Sequence, residues 1–276
     1  MLAVIQCTDK VGLVATIATL MEQKGINIIA MREYVDTAQN LFFARIELQA
    51  QETAATELEI SLKHLLPDGA YVKVNPNPLK KMVVLVTKEY HCLGDILLRN
   101  HFQTLGATVE AVIGNHAVLG NICEKFGVPF HYVSHEGISK EQFEQNLERA
   151  ISHYQFDFIV LAKFMRILSA EWVAKYPFKI INIHHSFLPA FIGANPYKQA
   201  HERGVKIIGA TAHFVTNALD EGPIITQQVA PVNHNYTVTD MVKAGKEIEK
   251  NTLAKALQLV LEDRVFVYNN KTVVFE

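Results

Sequence analysis

Cysteine, long apolar runs and net charge are all in short supply, and each shortage removes a class of protein. The three cysteines, Cys7, Cys92 and Cys123, are odd in number and show no CxxC spacing, so they read as reduced thiols of a cytoplasmic protein. The longest apolar runs, such as Phe158–Ala162, fall far short of the roughly 20 residues that cross a bilayer. Nothing in Met1–Lys10 joins a basic stretch to a long apolar one, so no signal peptide is expected. A formal net charge of −2 offers no basic face to nucleic acid or to an anionic membrane, and neither partner is expected.

What is present suits a globular protein. Hydrophobic residues make up 49% of the chain and charged residues 20%, enough to bury a real core. A length of 276 residues is long for one compact domain and comfortable for two.

The first part of the chain has the grammar of a small sandwich. The apolar run 2–7 ends in Thr8-Asp9 and is followed by Val14, Ile17, Ala18 and Met21 at helical spacing. Residues 26–35 read as a strand. In a further strand, Phe42, Ala44, Ile46 and Leu48 alternate with Phe43, Arg45, Glu47 and Gln49, which predicts one buried face. Ala55, Leu58, Leu62 and Leu65 mark a second amphipathic helix, and Ala70, Val72 and Val74 alternate again. The order βαββαβ is that of a ferredoxin-like, split-βαβ domain. Asn75-Pro76-Asn77-Pro78 suits neither helix nor strand and marks the likeliest linker. We expect one domain over 1–76, a linker over 77–81 and a second domain over 82–276.

Beyond the linker the rhythm changes. Residues 82–86, 108–113, 130–133, 158–161 and 180–183 are short apolar runs without alternation, separated by helical stretches. Strands buried on both faces read this way, so an α/β domain with a mostly parallel sheet is expected. Residues 242–261 predict a long helix, and Asn269-Asn270 a hairpin turn between two short strands.

One constellation points to chemistry. Asn182 and His184 stand two apart on a strand that runs into a loop, so their side chains project to the same side. In open α/β sheets the carboxyl ends of strands are where ligands bind. An amide beside an imidazole can hold a carbonyl oxygen as it becomes an oxyanion, and the imidazole can also move a proton. Downstream, a strand over 209–216 leads to Leu219-Asp220-Glu221-Gly222-Pro223. The acid there could orient His184, or position and deprotonate a water. Each feature also has an ordinary structural reading. The chain has twelve histidines, most of them expected at the surface or in packing, and Asp220 could simply form a turn.

Taken in order, Leu161-Ala162-Lys163-Phe164-Met165-Arg166-Ile167-Leu168-Ser169, the segment Ile181–Pro189 and the segment from His213 to Ile225 resemble the folate-dependent formyltransferase family. The resemblance extends from residue 80 to about 265. It implies a Rossmann-like fold and a catalytic trio of Asn182, His184 and Asp220. It also implies a folate site at Met165, Arg166, Ile167, Leu168, His213 and Val215, with backbone of the Met165–Leu168 stretch cradling the pterin ring.

The family's best-known member formylates a phosphorylated amine and carries a Gly/Ser/Asn-rich phosphate loop after its first strand. Here that stretch is Thr87-Lys88-Glu89-Tyr90-His91-Cys92-Leu93-Gly94-Asp95, with one glycine and two acids that would repel a phosphate. His185 stands where the transferases usually have proline. The stretch from Pro189 to Tyr197 is similar to that of a hydrolytic branch of the family. Asp9-Lys10-Val11-Gly12-Leu13 and Gly25-Ile26-Asn27-Ile28 resemble an ACT domain, the regulatory module that precedes the catalytic domain in that branch.

The implied activity is hydrolysis of 10-formyltetrahydrofolate to tetrahydrofolate and formate, within one-carbon metabolism and purine biosynthesis. Folate and water are the implied partners, and no cofactor and no metal are expected. Adjacent His184 and His185 lack metal-ligand spacing. His185 is read as shaping the active site, with plain packing as the alternative. Gly12 and Asn27 are candidates for binding an amino-acid effector, or only for a tight turn and a strand-entry bond. A homo-oligomer is expected, because ACT domains tend to pair edge to edge. Two other functions stay in view: a formyltransferase with an unphosphorylated or tRNA acceptor, and a non-catalytic folate or amino-acid sensor.

Overall fold

The computed structural model describes residues 1–75, 79–190 and 196–276. Of the expected linker, residues 77 and 78 lie outside the described residues, as do 191–195 of the stretch from Pro189 to Tyr197. The chain divides into two compact units, one formed by Met1–Leu79, Glu262–Phe266 and Val273–Glu276, the other by Lys80–Leu261 and Val267–Thr272.

The first unit contains β1 (Leu2–Thr8), α1 (Leu13–Gln23), β2 (Asn27–Asp36), β3 (Leu41–Gln49), α2 (Ala55–Leu65) and β4 (Tyr71–Asn75). Its four strands form an antiparallel sheet in the order β2-β3-β1-β4, the ferredoxin-like arrangement. One face of this sheet is apolar because β1 and β3 present Ile5, Ala44 and Ile46 toward Ile17, Met21, Leu58 and Leu62 of the helices. These helical positions recur at three- and four-residue spacing, which puts them on one stripe of each helix.

The alternation along β3 predicts a solvent face at Phe43 and Arg45, and the structure buries both. The cover comes from the far end of the chain. Phe266 meets the Phe43 ring edge-on at 5.7 Å and packs in turn on Phe275 at 5.5 Å. Arg45 Nε donates to the Glu262 carbonyl at 3.0 Å, and its guanidinium pairs with Glu47 at 2.6 Å. The segments Glu262–Phe266 and Val273–Glu276, expected with the second domain, are thus part of the first unit.

The second unit holds β5 (Lys80–Val86), α3 (His91–His101), β6 (Ala107–Gly114), α4 (Gly120–Lys125), β7 (Phe130–Tyr132), α5 (Lys140–Ile151) and β8 (Phe158–Leu161). It continues with α6 (Ala170–Val173), β9 (Ile180–His184), α7 (Pro196–Arg203), β10 (Ile207–Phe214), β11 (Ile224–Pro231) and α8 (Val238–Leu261). The last elements of the chain are the short strands β12 (Val265–Tyr268) and β13 (Lys271–Val274), which form a two-stranded sheet around Asn269. Asn269 takes a left-handed φ of 51°, which asparagine tolerates well.

The seven-stranded sheet runs β11-β10-β9-β8-β5-β6-β7. Strands β9, β8, β5, β6 and β7 are parallel, and β10 and β11 are antiparallel additions at one edge. Val83, Leu85, Ile159 and Ile180 are fully buried, as the unalternating apolar runs predict. The chain steps outward from β5 to β6 and β7, then returns to β8 and β9 on the other side. That reversal makes a crevice between β5 and β8 at their carboxyl ends.

Candidate functional site

A cleft of about 730 Å³ lies within the second unit, bordered by the loop after β8, the end of β9, the loop between β10 and β11, and α8. Its lining includes Asn182, His184, His185 and Asp220, together with all six of the expected folate contacts.

The β9/β10 ladder sets the first two. Asn182 pairs in register with His213 and His184 with Thr211. His213 is buried, and its Nδ1 lies 2.9 Å from the Phe214 carbonyl oxygen. That contact assigns the ring proton to Nδ1 and leaves Nε2 to accept from the Asn182 amide at 3.2 Å. Burial pushes the His213 pKa down, so the ring stays neutral. One Asn182 amide hydrogen is held by this bond, and among the described residues the second meets no partner, on a side chain that lines the cleft.

Asp220 sits on a left-handed residue, φ 57°, in the loop between β10 and β11. The loop is pinned where Phe214 N donates to the Pro223 carbonyl at 2.9 Å. Gly222 makes this approach possible, because a β-carbon there would stand 1.8 Å from the Phe214 carbonyl oxygen. The result places Asp220 Oδ1 at 3.4 Å from His184 Nδ1 and 3.7 Å from His213 Nε2. The His184 hydrogen bond holds the Asp220 carboxyl below the usual carboxylate range despite partial burial. His184 Nε2 is buried and has no partner among the described residues. A ring nitrogen left open beside an amide donor and an ionised carboxylate is suited to a polar substrate atom.

His185 stacks on His184, ring centroids 5.0 Å apart. Burial, and then the Lys163 ammonium, lower its pKa to about 4, so it is a neutral imidazole at physiological pH. Met165 and Ile167 are more than half exposed, uncommon for such side chains, and they edge the cleft. Met165 N donates to Thr87 Oγ1 at 2.9 Å, which ties the loop to the end of β5. Leu168 and Val215 are partly buried against the core below. Gly12 and Asn27 belong to the first unit. Gly12 precedes α1 with φ 92° and open space where a β-carbon would go, and Asn27 opens β2 with its amide 3.5 Å from Gln49 Oε1.

A second polar cluster borders the same cleft, and the sequence reading missed its roles. Glu249, on α8, is 1% exposed. Its Oε1 accepts from the Tyr197 hydroxyl at 2.7 Å, and its Oε2 lies 2.8 Å from His91 Nε2 and 3.2 Å from Lys163 Nζ. Burial alone would raise the carboxyl, but His91, Lys163 and Tyr197 together bring it down to about 2. The available signal was Glu249 standing among Met241, Gly245, Ile248, Thr252 and Leu253 on the buried stripe of α8. His91, Cys92 and Glu249 also offer ligand atoms within 4.8 Å of one another. The Lys163 ammonium already neutralises that carboxylate, and burial pushes the Cys92 thiol far up, so the trio suits a cation poorly. The two acids expected to repel a phosphate are themselves paired, Glu89 with Lys246 at 2.7 Å and Asp95 with Arg99 at 2.7 Å.

Among the described residues, no helix is long and apolar enough to cross a membrane. The formyl transferase family profile matches residues 80–257. The formyltetrahydrofolate deformylase of Escherichia coli O6:H1 is 51% identical over 268 residues, 97% of this chain and 95% of that protein. The crystal structure of a formyltetrahydrofolate deformylase from Pseudomonas syringae superposes with a TM-score of 0.93 at 37% identity, covering 100% of this chain and 94% of that one. A glycinamide ribonucleotide transformylase from Symbiobacterium toebii superposes with a TM-score of 0.69 at 30% identity, covering 72% of this chain and 95% of the other.

Proposed function

Since the chain belongs to the formyl transferase family, and within it to the formyltetrahydrofolate deformylases, we propose that Asn182, His184 and Asp220 carry out its reaction. That reaction is the hydrolysis of 10-formyltetrahydrofolate to tetrahydrofolate and formate. The observation that bears most on the trio is the pairing of His184 Nδ1 with Asp220 at 3.4 Å while His184 Nε2 is left open.

In this reading Asp220, ionised because His184 holds it low, accepts a proton from a water as the water oxygen bonds to the formyl carbon. The free Asn182 amide hydrogen stabilises the tetrahedral oxyanion, as does His184 when its Nε2 carries a proton in addition to the Nδ1 proton shared with Asp220. The carbon–N10 bond then breaks, N10 takes up a proton through His184, and formate leaves. His185, neutral and stacked on His184, keeps that ring in place. Met165, Arg166, Ile167, Leu168, His213 and Val215 receive the folate, and their presence along one cleft with the trio supports this. No cofactor and no metal take part.

Formate release from 10-formyltetrahydrofolate alone, with no acceptor present, tests the hydrolytic reading. A requirement for an added amine would replace it with transfer.

The first unit we assign to regulation as an ACT domain over 1–76, with Gly12 and Asn27 near an amino-acid effector. The ferredoxin-like sheet and the open space at Gly12 support the assignment. The protein works in the cytoplasm, in purine biosynthesis, as a homo-oligomer. Calorimetric titration with the amino acids, read beside the rate of formate release, tests the effector.

A further inference from the structure

We propose that the Lys163 side chain fills the place an amine acceptor would need, and so confines the attacking group to water. This rests on the hydrolytic reading above and names the residue that enforces it.

Lys163 stands two residues past the end of β8 and adopts φ 60°, a left-handed conformation that glycine takes freely and other residues take under strain. The strain is not spent on a surface charge. The side chain turns inward, the residue is 9% exposed, and its ammonium docks on Glu249 at 3.2 Å. Glu249 is in turn fixed by Tyr197 and His91, so the ammonium has a rigid anchor. Tyr197 is itself wedged against α8, where a β-carbon at Gly245 would stand 2.1 Å from its ring.

This cluster adjoins the reacting groups. The Tyr197 ring lies 6.4 Å from His185, and His185 stacks on His184 at 5.0 Å. Lys163 is also the charge that most opposes protonation of His185. The cleft is lined by apolar Leu161, Ile167 and Val215 and also by the lysine chain with its Glu249 anchor. Stem and ammonium together match the size of a small primary amine such as glycinamide. Water is far smaller than such an amine and has no need of the space the lysine chain takes.

Removing the side chain should admit such an amine. Its nitrogen would then attack the formyl carbon, the new carbon–nitrogen bond replacing carbon–N10, and the proton lost by the amine would pass to N10. The products are the formylated amine and tetrahydrofolate, with no other reactant needed.

The experiment compares wild type, Lys163→Gly and Lys163→Met, each as the full chain, incubated with 10-formyltetrahydrofolate and a range of glycinamide concentrations. Formate and N-formylglycinamide are counted by mass spectrometry. Glycine relieves the left-handed strain, so Lys163→Gly should fold, and circular dichroism checks that it does. The ratio of formylated amine to formate should rise about 10-fold or more over wild type in Lys163→Gly, the discrimination a few atoms of bulk supply, and should saturate with glycinamide. Lys163→Met keeps the bulk and should keep the wild-type ratio. An unchanged ratio in Lys163→Gly, loss of all its turnover, or equal transfer by Lys163→Met would overturn the proposal. Absence of formate from wild type would instead sink the hydrolytic reading beneath it.

Discussion

Gly222 and Phe214 stand so close that a β-carbon on the glycine would lie 1.8 Å from the phenylalanine's carbonyl oxygen. This contact, between backbone and backbone, closes the loop that delivers Asp220 to His184. Gly222→Ala must push the loop outward. We expect a stable protein whose kcat for formate release falls at least about 100-fold, since small misplacements of a reacting group cost that much. Steady-state kinetics with an unchanged circular dichroism spectrum would check it; full activity would show that the loop's position is immaterial.

Asn182→Ala removes an oxyanion donor and should lower kcat by ~10²–10³ with little effect on folding. Asp220→Asn removes the base. If the two act on one transition state, the double variant should lose less than the product of the single losses. Multiplicative losses would show independent roles.

Acid should weaken the fold through His185. The folded protein favours the neutral ring, with a pKa lowered from 6.5 to about 4, whereas an unfolded chain takes up the proton near 6.5. The contribution to stability is therefore complete above pH 6.5 and is lost as pH falls toward 4. The melting temperature should drop over that interval, and His185→Gln should make the drop shallower. Parallel slopes for the two proteins would remove His185 as the cause.

In the first unit, Phe266 is 5% exposed and bridges Phe43 and Phe275. Phe266→Ala should cost about 3 kcal/mol or more in urea unfolding of this unit, within the range for large buried rings. A loss under about 1 kcal/mol would mean the ring is poorly packed.

How far the sequence reveals this molecule depends on how local each signal is. Strands β5, β8 and β9 are visible because burial on both faces demands uninterrupted apolar residues. Asn182 and His184 are visible because a strand puts alternate residues on one side, and their meeting with Asp220 follows from three motifs in order. Phe43 and Arg45 misled for the opposite reason. Their cover arrives from Glu262–Phe266, and no periodicity within β3 can register a partner so distant in the chain. Lys163 and Glu249 were hidden likewise. Each lies in a segment whose neighbours explain it as loop or amphipathic helix, and only folding joins them. Glu89 looked like a bare charge because Lys246 is far away in the chain, whereas Asp95 and Arg99 stand four apart on α3, a pairing that helical spacing does offer.

Because Phe266, backed by Phe275, completes the packing on Phe43, the first unit cannot finish folding during synthesis until Phe275 has emerged from the ribosome. A nascent chain stalled before Glu262 would carry a sheet bare on one side and prone to stick to other chains. Emergence of residues 262–276 thus becomes the event that seals a sheet made about two hundred residues earlier.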